Sequence, residues 1–255
     1  MQKLRAVLGL LAGIALAFAA TAAGADGYRR GGVKDTEPCC NAWQGFYLGI
    51  HGGYGWKDND FSEVRSVVPR ITIEGIQSKG ALWGAHAGYN WQYGHVVTGL
   101  ELDFSAAGIS GESTASAGGF TRTLGDDVKY LGSARARLGY ALGSGCCSGF
   151  LLYATAGLAW ERVERFHDDI DPPPATLVRS TSRDPRDQFG WVAGIGAEAK
   201  LGGSNWVARI EYLHYDFGSV QPTDSRVSTV PGTSFSDRSD SQTIEVVRAA
   251  LSYKF

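Results

Sequence analysis

The chain carries one methionine and four cysteines in 255 residues. Beyond residue 25 no apolar run approaches the roughly 18 residues of a membrane-spanning helix, so helical membrane proteins are excluded for that part. The scarcity of methionine stands beside 35 glycines and 11% aromatic residues, a balance that favours strands and turns over helices. Strong charge is missing too. A net charge of -2 gives no electrostatic reason for a nucleic-acid partner. The five histidines form no H-E-x-x-H ligand pair, and no G-x-S-x-G acyl-transfer pattern occurs. No residue is nominated for catalysis, for a cofactor or for a metal.

What is present begins with a leader. Lys3 and Arg5 precede the apolar run Ala6–Ala20, followed by small residues that offer Ala20-Thr21-Ala22 or Ala23-Gly24-Ala25 for cleavage. Residues 1–25 therefore read as a secretory signal peptide, and the run is too short to be a retained anchor. Residues 26–42 are polar and without periodicity, an N-terminal arm expected in the periplasm. The rest, 43–255, reads as one all-β domain.

The stretch Ser241–Phe255 shows why. Val247, Ala249, Leu251, Tyr253 and Phe255 share one parity, while Val246, Arg248, Ala250, Ser252 and Lys254 share the other. Alternation ending in aromatics suits a transmembrane strand with one face in lipid, and Tyr253 with Phe255 is the expected assembly signal. Eight such stretches follow one another near 43–56, 78–92, 95–108, 127–141, 149–165, 187–201, 205–218 and 242–255. Long polar links near 57–77, 109–126, 166–186 and 219–241 alternate with short ones near Gly94, residues 143–148 and residues 202–204. That alternation predicts an eight-stranded antiparallel up-and-down transmembrane β-barrel with four long outer loops and three short periplasmic turns. Only helices and closed barrels satisfy the backbone in lipid, and helices are excluded.

Within the strands one parity is ionic. Glu101, Asp103, Glu198 and Glu211 stand against Arg135, Arg137, Lys200, Arg209 and Arg248, each opposite apolar neighbours such as Leu100, Leu102, Leu138 and Ile210. Lys129 is read on the same face as Arg135. An eight-stranded barrel is just wide enough for side chains to fill, so these charges are expected to pair in a lumen network instead of lining a channel. Gly49, Gly53, Gly55, Gly84 and Gly88 share the inward parity and leave room there. Trp83, Trp91, Tyr140, Trp191 and Trp206, toward strand ends, read as interfacial girdles.

The motifs Trp43-Gln44-Gly45-Phe46-Tyr47-Leu48-Gly49, Gly52-Gly53-Tyr54-Gly55-Trp56, Gly88-Tyr89-Asn90-Trp91-Gln92, Ser133–Tyr140, Leu152–Ala159 and Arg209-Ile210-Glu211-Tyr212 resemble the OmpA-like class of small outer-membrane barrels. More narrowly, they resemble the 25- and 31-kilodalton-type immunogenic surface proteins of alphaproteobacteria. The resemblance spans about residues 43–255 and implies a monomeric or weakly associating barrel that supports envelope integrity and presents surface loops. Implied partners are outer-membrane lipids and lipopolysaccharide, the barrel-assembly machinery through the last strand, and an extracellular ligand at the loops. Some relatives of this kind are hemin-binding or porin-like, although no motif here identifies a hemin ligand.

The cysteines depart from that pattern. Cys39 and Cys40 precede the first strand and Cys146 and Cys147 occupy a short turn, so both pairs fall at the periplasmic rim, where an oxidising compartment favours disulfides between arm and turn. Free thiols and a four-sulfur zinc site are alternatives, the latter opposed by the adjacent spacing. His51 and His86 fall inward on neighbouring strands. His214 falls outward near the outer rim, where with Ser219 and Asp216 a lipid A deacylase has to be weighed. Asp168-Asp169-Ile170-Asp171 reads as a solvated acidic loop, with divalent-cation capture as its alternative. The leading expectation is a non-enzymatic outer-membrane structural and surface-interaction protein with a closed lumen; a small-solute porin or hemin receptor is the alternative.

Overall fold

The structure, a computed structural model, describes residues 42–65, 71–117, 120–142, 149–170, 179–218, 235–239 and 242–255. The expected signal peptide, residues 26–41 of the arm, and Cys39, Cys40, Cys146 and Cys147 lie outside the described residues. Among those described there is no helix, and nine strands run in chain order: β1 (Gly45–Arg65), β2 (Ile71–Tyr93), β3 (Val96–Ala117), β4 (Phe120–Leu142), β5 (Phe150–Ile170), β6 (Arg179–Lys200), β7 (Trp206–Asp216), β8 (Phe235–Ser239) and β9 (Thr243–Lys254). From β1 to β7 each strand pairs antiparallel with the next, β7 pairs with β9, and β9 pairs with β1. Because β1 also pairs with β2, the sheet closes into a ring of eight antiparallel strands. The short β8 continues the line of β9 along β1, from Phe61↔Ser239 to Arg65↔Phe235.

The strands are longer than the sequence pattern suggests. Most run 21–23 residues, about twice what a tilted strand needs to cross a bilayer. The polar segments expected as loops near 57–77, 109–126 and 166–186 are largely hairpin extensions, with β1 and β2 still paired at Arg65↔Ile71 and β3 and β4 at Ala117↔Phe120. Hydroxyl residues hold such polar ladders as readily as aliphatic ones. Thr114 bonds Thr123 and Ser116 bonds Thr121 across the β3–β4 hairpin, each at 3.0 Å. Of the link near 219–241, residues 235–239 are strand and the rest lies outside the described residues.

At the opposite rim the turns are tight. Gly94 takes φ +62° between β2 and β3, and Gly202 and Gly203 take +58° and +72° between β6 and β7, a left-handed backbone that other residues rarely adopt.

Exposed apolar side chains form a belt confined to the half of the wall nearest those turns. It includes Leu48, Ile50, Leu100, Leu102, Leu138, Leu152 and Leu158, the last 70% exposed. Aromatics such as Tyr93, Tyr140, Trp206 and Phe255 border it on one side, and Trp83, Tyr130 and Trp191 on the other. A water-exposed surface this greasy is not viable, whereas a bilayer covers it.

Candidate functional site

The strand alternation that builds the belt turns the opposite parity into the lumen. Space is made locally by glycine: a Cβ on Gly49 would lie 2.6 Å from the His86 ring, so only glycine admits that imidazole. Of the nine charged residues expected inside, eight meet there. Glu101 on β3 is the hub, accepting hydrogen bonds from Tyr47 Oη and from Arg209 Nη1 at 2.7 Å each and from Arg135 Nη2. Glu211 on β7 accepts from Tyr153 Oη at 2.6 Å, Arg248 Nε at 2.7 Å and Arg135 Nη1 at 3.3 Å. Asp103 accepts from Ser133 and, at 3.1 Å, from Arg248 Nη1. Glu198 accepts from Arg137, and Arg209 Nε lies 2.8 Å from the same oxygen. The Arg137 guanidinium also lies 4.0 Å from the Tyr153 ring centroid.

Glu101, Asp103, Glu198 and Glu211 thus face Arg135, Arg137, Arg209 and Arg248, four charges of each sign, with every side chain at most 3% exposed. Equal numbers matter because an uncompensated charge so deep would cost several kcal/mol, while paired charges roughly offset their desolvation.

The ninth residue, Lys200, stays outside this set. Its ammonium sits 5.7 Å from the Trp43 ring at the short-turn end of the barrel, because β6 has run past the network to its last residue there. Lys129, read on the same face as Arg135, is also elsewhere. The β4–β5 register slips between Val128 and Tyr130, and this bulge turns Val128 inward and leaves Lys129 partly exposed, paired with Asp127 and lying 3.9 Å from Glu164.

His51 and His86 do approach one another: their Nδ1 atoms are 3.3 Å apart, with His51 Nε2 at 2.7 Å from Ser105 Oγ and His86 Nε2 at 2.8 Å from Ser252 Oγ.

Two regions flank the network. Toward the short turns, Trp43 is 1% exposed and packs with Val97, Ala141, Leu151, Tyr153 and Val207. Its backbone N–H donates to Gln92 Oε1 at 2.8 Å, and Lys254 Nζ holds the carbonyls of Ala42 and Gln44. The sequence pattern assigned Trp43 to the first strand. It instead precedes β1 and fills the mouth, a role its aromatic neighbours in the motif conceal.

Toward the long hairpins the lumen is filled by an apolar cluster that includes Leu82, Ile109, Val128, Leu131, Val163, Val192, Leu213, Tyr215 and Ile244. A smaller polar group lies in that outer half: Lys57 Nζ donates to Gln242 Oε1 at 3.2 Å and lies 3.6 Å from Asp126 and 3.9 Å from Glu161.

On the outer wall, His214 finds its carboxylate in Glu245, not in Asp216. Nδ1 lies 2.7 Å from Glu245 Oε1, and Tyr212 Oη donates to Oε2 at 2.5 Å. Asp216 instead accepts from the Gly218 N–H at 2.8 Å, and Ser219 lies outside the described residues. The β7–β9 register that makes His214 and Glu245 partners cannot be seen from spacing along the chain. Asp168, Asp169 and Ile170 continue β5, and Asp171 lies outside the described residues. Among the described residues no three His, Cys, Asp or Glu side chains converge as a metal ligand set.

A closed antiparallel ring, a greasy belt and an ionic interior define a barrel built for an outer membrane. The family model of the outer membrane protein beta-barrel domain matches residues 8–255. The chain belongs to that family. It is 30% identical over 261 residues to the 31 kDa outer-membrane immunogenic protein of Brucella melitensis, covering 96% of this chain and 98% of the relative. With the 22 kDa outer membrane protein of Rhizobium leguminosarum it shares 34% over 178 residues, 70% of this chain and 66% of the relative. Among solved structures, the outer membrane protease OmpT from Escherichia coli is 11% identical with a TM-score of 0.42, covering 88% of this chain and all of that one. The family match and the Brucella and Rhizobium relatives put the chain in the outer membrane of the cell.

Proposed function

We propose that this barrel is a structural element of the outer membrane, closed to solutes along its axis, that acts outward through its hairpins and outer loops and without catalysis. One observation carries the reading: the lumen core holds four buried carboxylates and four buried guanidiniums in mutual contact, with both ends backed by apolar packing. A solute passing that level would have to separate several of these pairs at once, each costing kcal/mol to leave unpartnered. The cork at Trp43 supports closure at the periplasmic end.

The functional surfaces in this reading are external. The greasy belt meets membrane lipids and, at its outer edge, lipopolysaccharide. The last strand, whose Tyr253 stacks edge-on against Trp206 and Phe255 at 5.2 Å, is the surface offered to the assembly machinery. The hairpins that outrun the bilayer are where an extracellular ligand binds. A non-catalytic reading of His214 is supported by its hydrogen bond to Glu245, itself bonded to Tyr212; among the described residues no serine or threonine hydroxyl bonds its ring.

Deletion of the protein in its own cell tests the role. We expect raised sensitivity to detergent and leakage of periplasmic protein, restored by the wild-type chain and equally by a chain with replaced hairpin tips, while partner binding follows the tips. Unchanged detergent resistance in the deletion would remove the envelope role.

A further inference from the structure

Along β7 and β9 the lipid-facing parity is apolar for most of its length: Ala208 and Ile210 on one strand, Val247, Ala249 and Leu251 on the other. It then becomes polar over one short stretch, with Tyr212, His214 and Asp216 on β7 and Glu245 on β9. Ionisable groups on the lipid face are costly at mid-membrane and tolerable only near its surface, and there they mark a function more often than a packing need. The register places this stretch at such a surface. Asp216 is opposite Trp191 and Glu245 is opposite Trp56, both aromatics of the outer edge of the belt.

The cluster is built, not scattered. Glu245 uses one oxygen for Tyr212 Oη and the other for His214 Nδ1. In the neutral imidazole a carboxylate at Nδ1 holds the proton there and leaves Nε2 as an acceptor. Trp191, half exposed, lies with its ring centroid 5.3 Å from the imidazole. An aromatic plate is therefore set beside a ring nitrogen and two carboxylates, all acceptors. Such a surface attracts hydroxyl donors carried on a molecule with an apolar face.

We propose that Trp191, Tyr212, His214, Asp216 and Glu245 form a binding site for the hydroxyl-bearing sugar headgroup of an outer-leaflet glycolipid. The sugar's C–H face lies on Trp191, and its hydroxyls donate to His214 Nε2 and the carboxylates. The site deepens the lipopolysaccharide contact proposed above and rests on that reading.

The test uses the full barrel purified in detergent, with rough-type lipopolysaccharide as probe and the loss of heat-modifiable migration as readout of unfolding. Trp191→Leu and His214→Leu are compared with wild type and with Tyr130→Leu, an exposed aromatic on β4 away from the site. Lipopolysaccharide should protect the wild type and Tyr130→Leu equally. Half-protection in Trp191→Leu and in His214→Leu should require about tenfold more, the equivalent of one lost contact, and phosphatidylglycerol should not substitute. Equal protection of all four proteins overturns the site while the lipopolysaccharide partner stands. A wild type that lipopolysaccharide does not protect removes both, and protection by phosphatidylglycerol equal to that by lipopolysaccharide overturns the sugar.

Discussion

The two halves of the lumen solve the same problem differently. In the half nearer the short turns, charge is met with charge: Arg135 alone touches Glu101, Asp103 and Glu211. In the outer half, apolar side chains fill most of the space, and the buried Lys57 and Glu161 stand 3.9 Å apart, beyond hydrogen-bond reach. Among the described residues neither carboxylate oxygen of Glu161 finds a hydrogen-bond partner, although both are buried. The difference teaches that burial alone does not measure what an ionic residue contributes. The number and geometry of its partners do.

That contrast can be broken at three points. The largest effect is expected at Arg135→Ala, which takes one shared cation from three buried carboxylates and should lower stability by about 3–5 kcal/mol, read as a shifted urea midpoint in detergent. A loss under about 1 kcal/mol would mean that the network does not hold the barrel together. Glu161→Gln should cost only about 1 kcal/mol or improve stability slightly, since it removes a charge that makes no hydrogen bond; a loss as large as that at Arg135 would erase the distinction between the halves. Smallest of all is Lys129→Ala. Its ammonium, on a side chain 39% exposed, pairs at the surface, and the midpoint should move by no more than about 0.5 kcal/mol equivalent.

Arg135 and Lys129 also mark the limit of what alternation reveals. Strict period two assigned both to one face, and it holds from Leu131 to Ala141, where odd positions are buried. One extra residue near Val128 swaps the faces beyond it. Nothing in the local composition announces that slip. The same parity rule located Glu101 against Leu102 and Arg209 against Ile210 because those strand segments are uninterrupted. Where segments are polar on both faces, as in Glu112–Thr114, alternation falls silent, and hairpin extensions read as loops. Partnerships across the ring are a third kind of information. The pairing of His214 with Glu245 and the seating of Lys200 against Trp43 depend on register and strand stagger, which join residues 31 positions apart in one case and the end of β6 to the residue before β1 in the other.

The proposal that the ionic core closes the lumen is tested most directly by electrical recording of the purified, heat-modifiable barrel in a planar bilayer. With Glu101, Asp103, Glu198 and Glu211 locked to their arginines, the membrane current should stay at the protein-free baseline. Reproducible single-channel steps of nanosiemens size from that same monomer would contradict a lumen closed by these pairs.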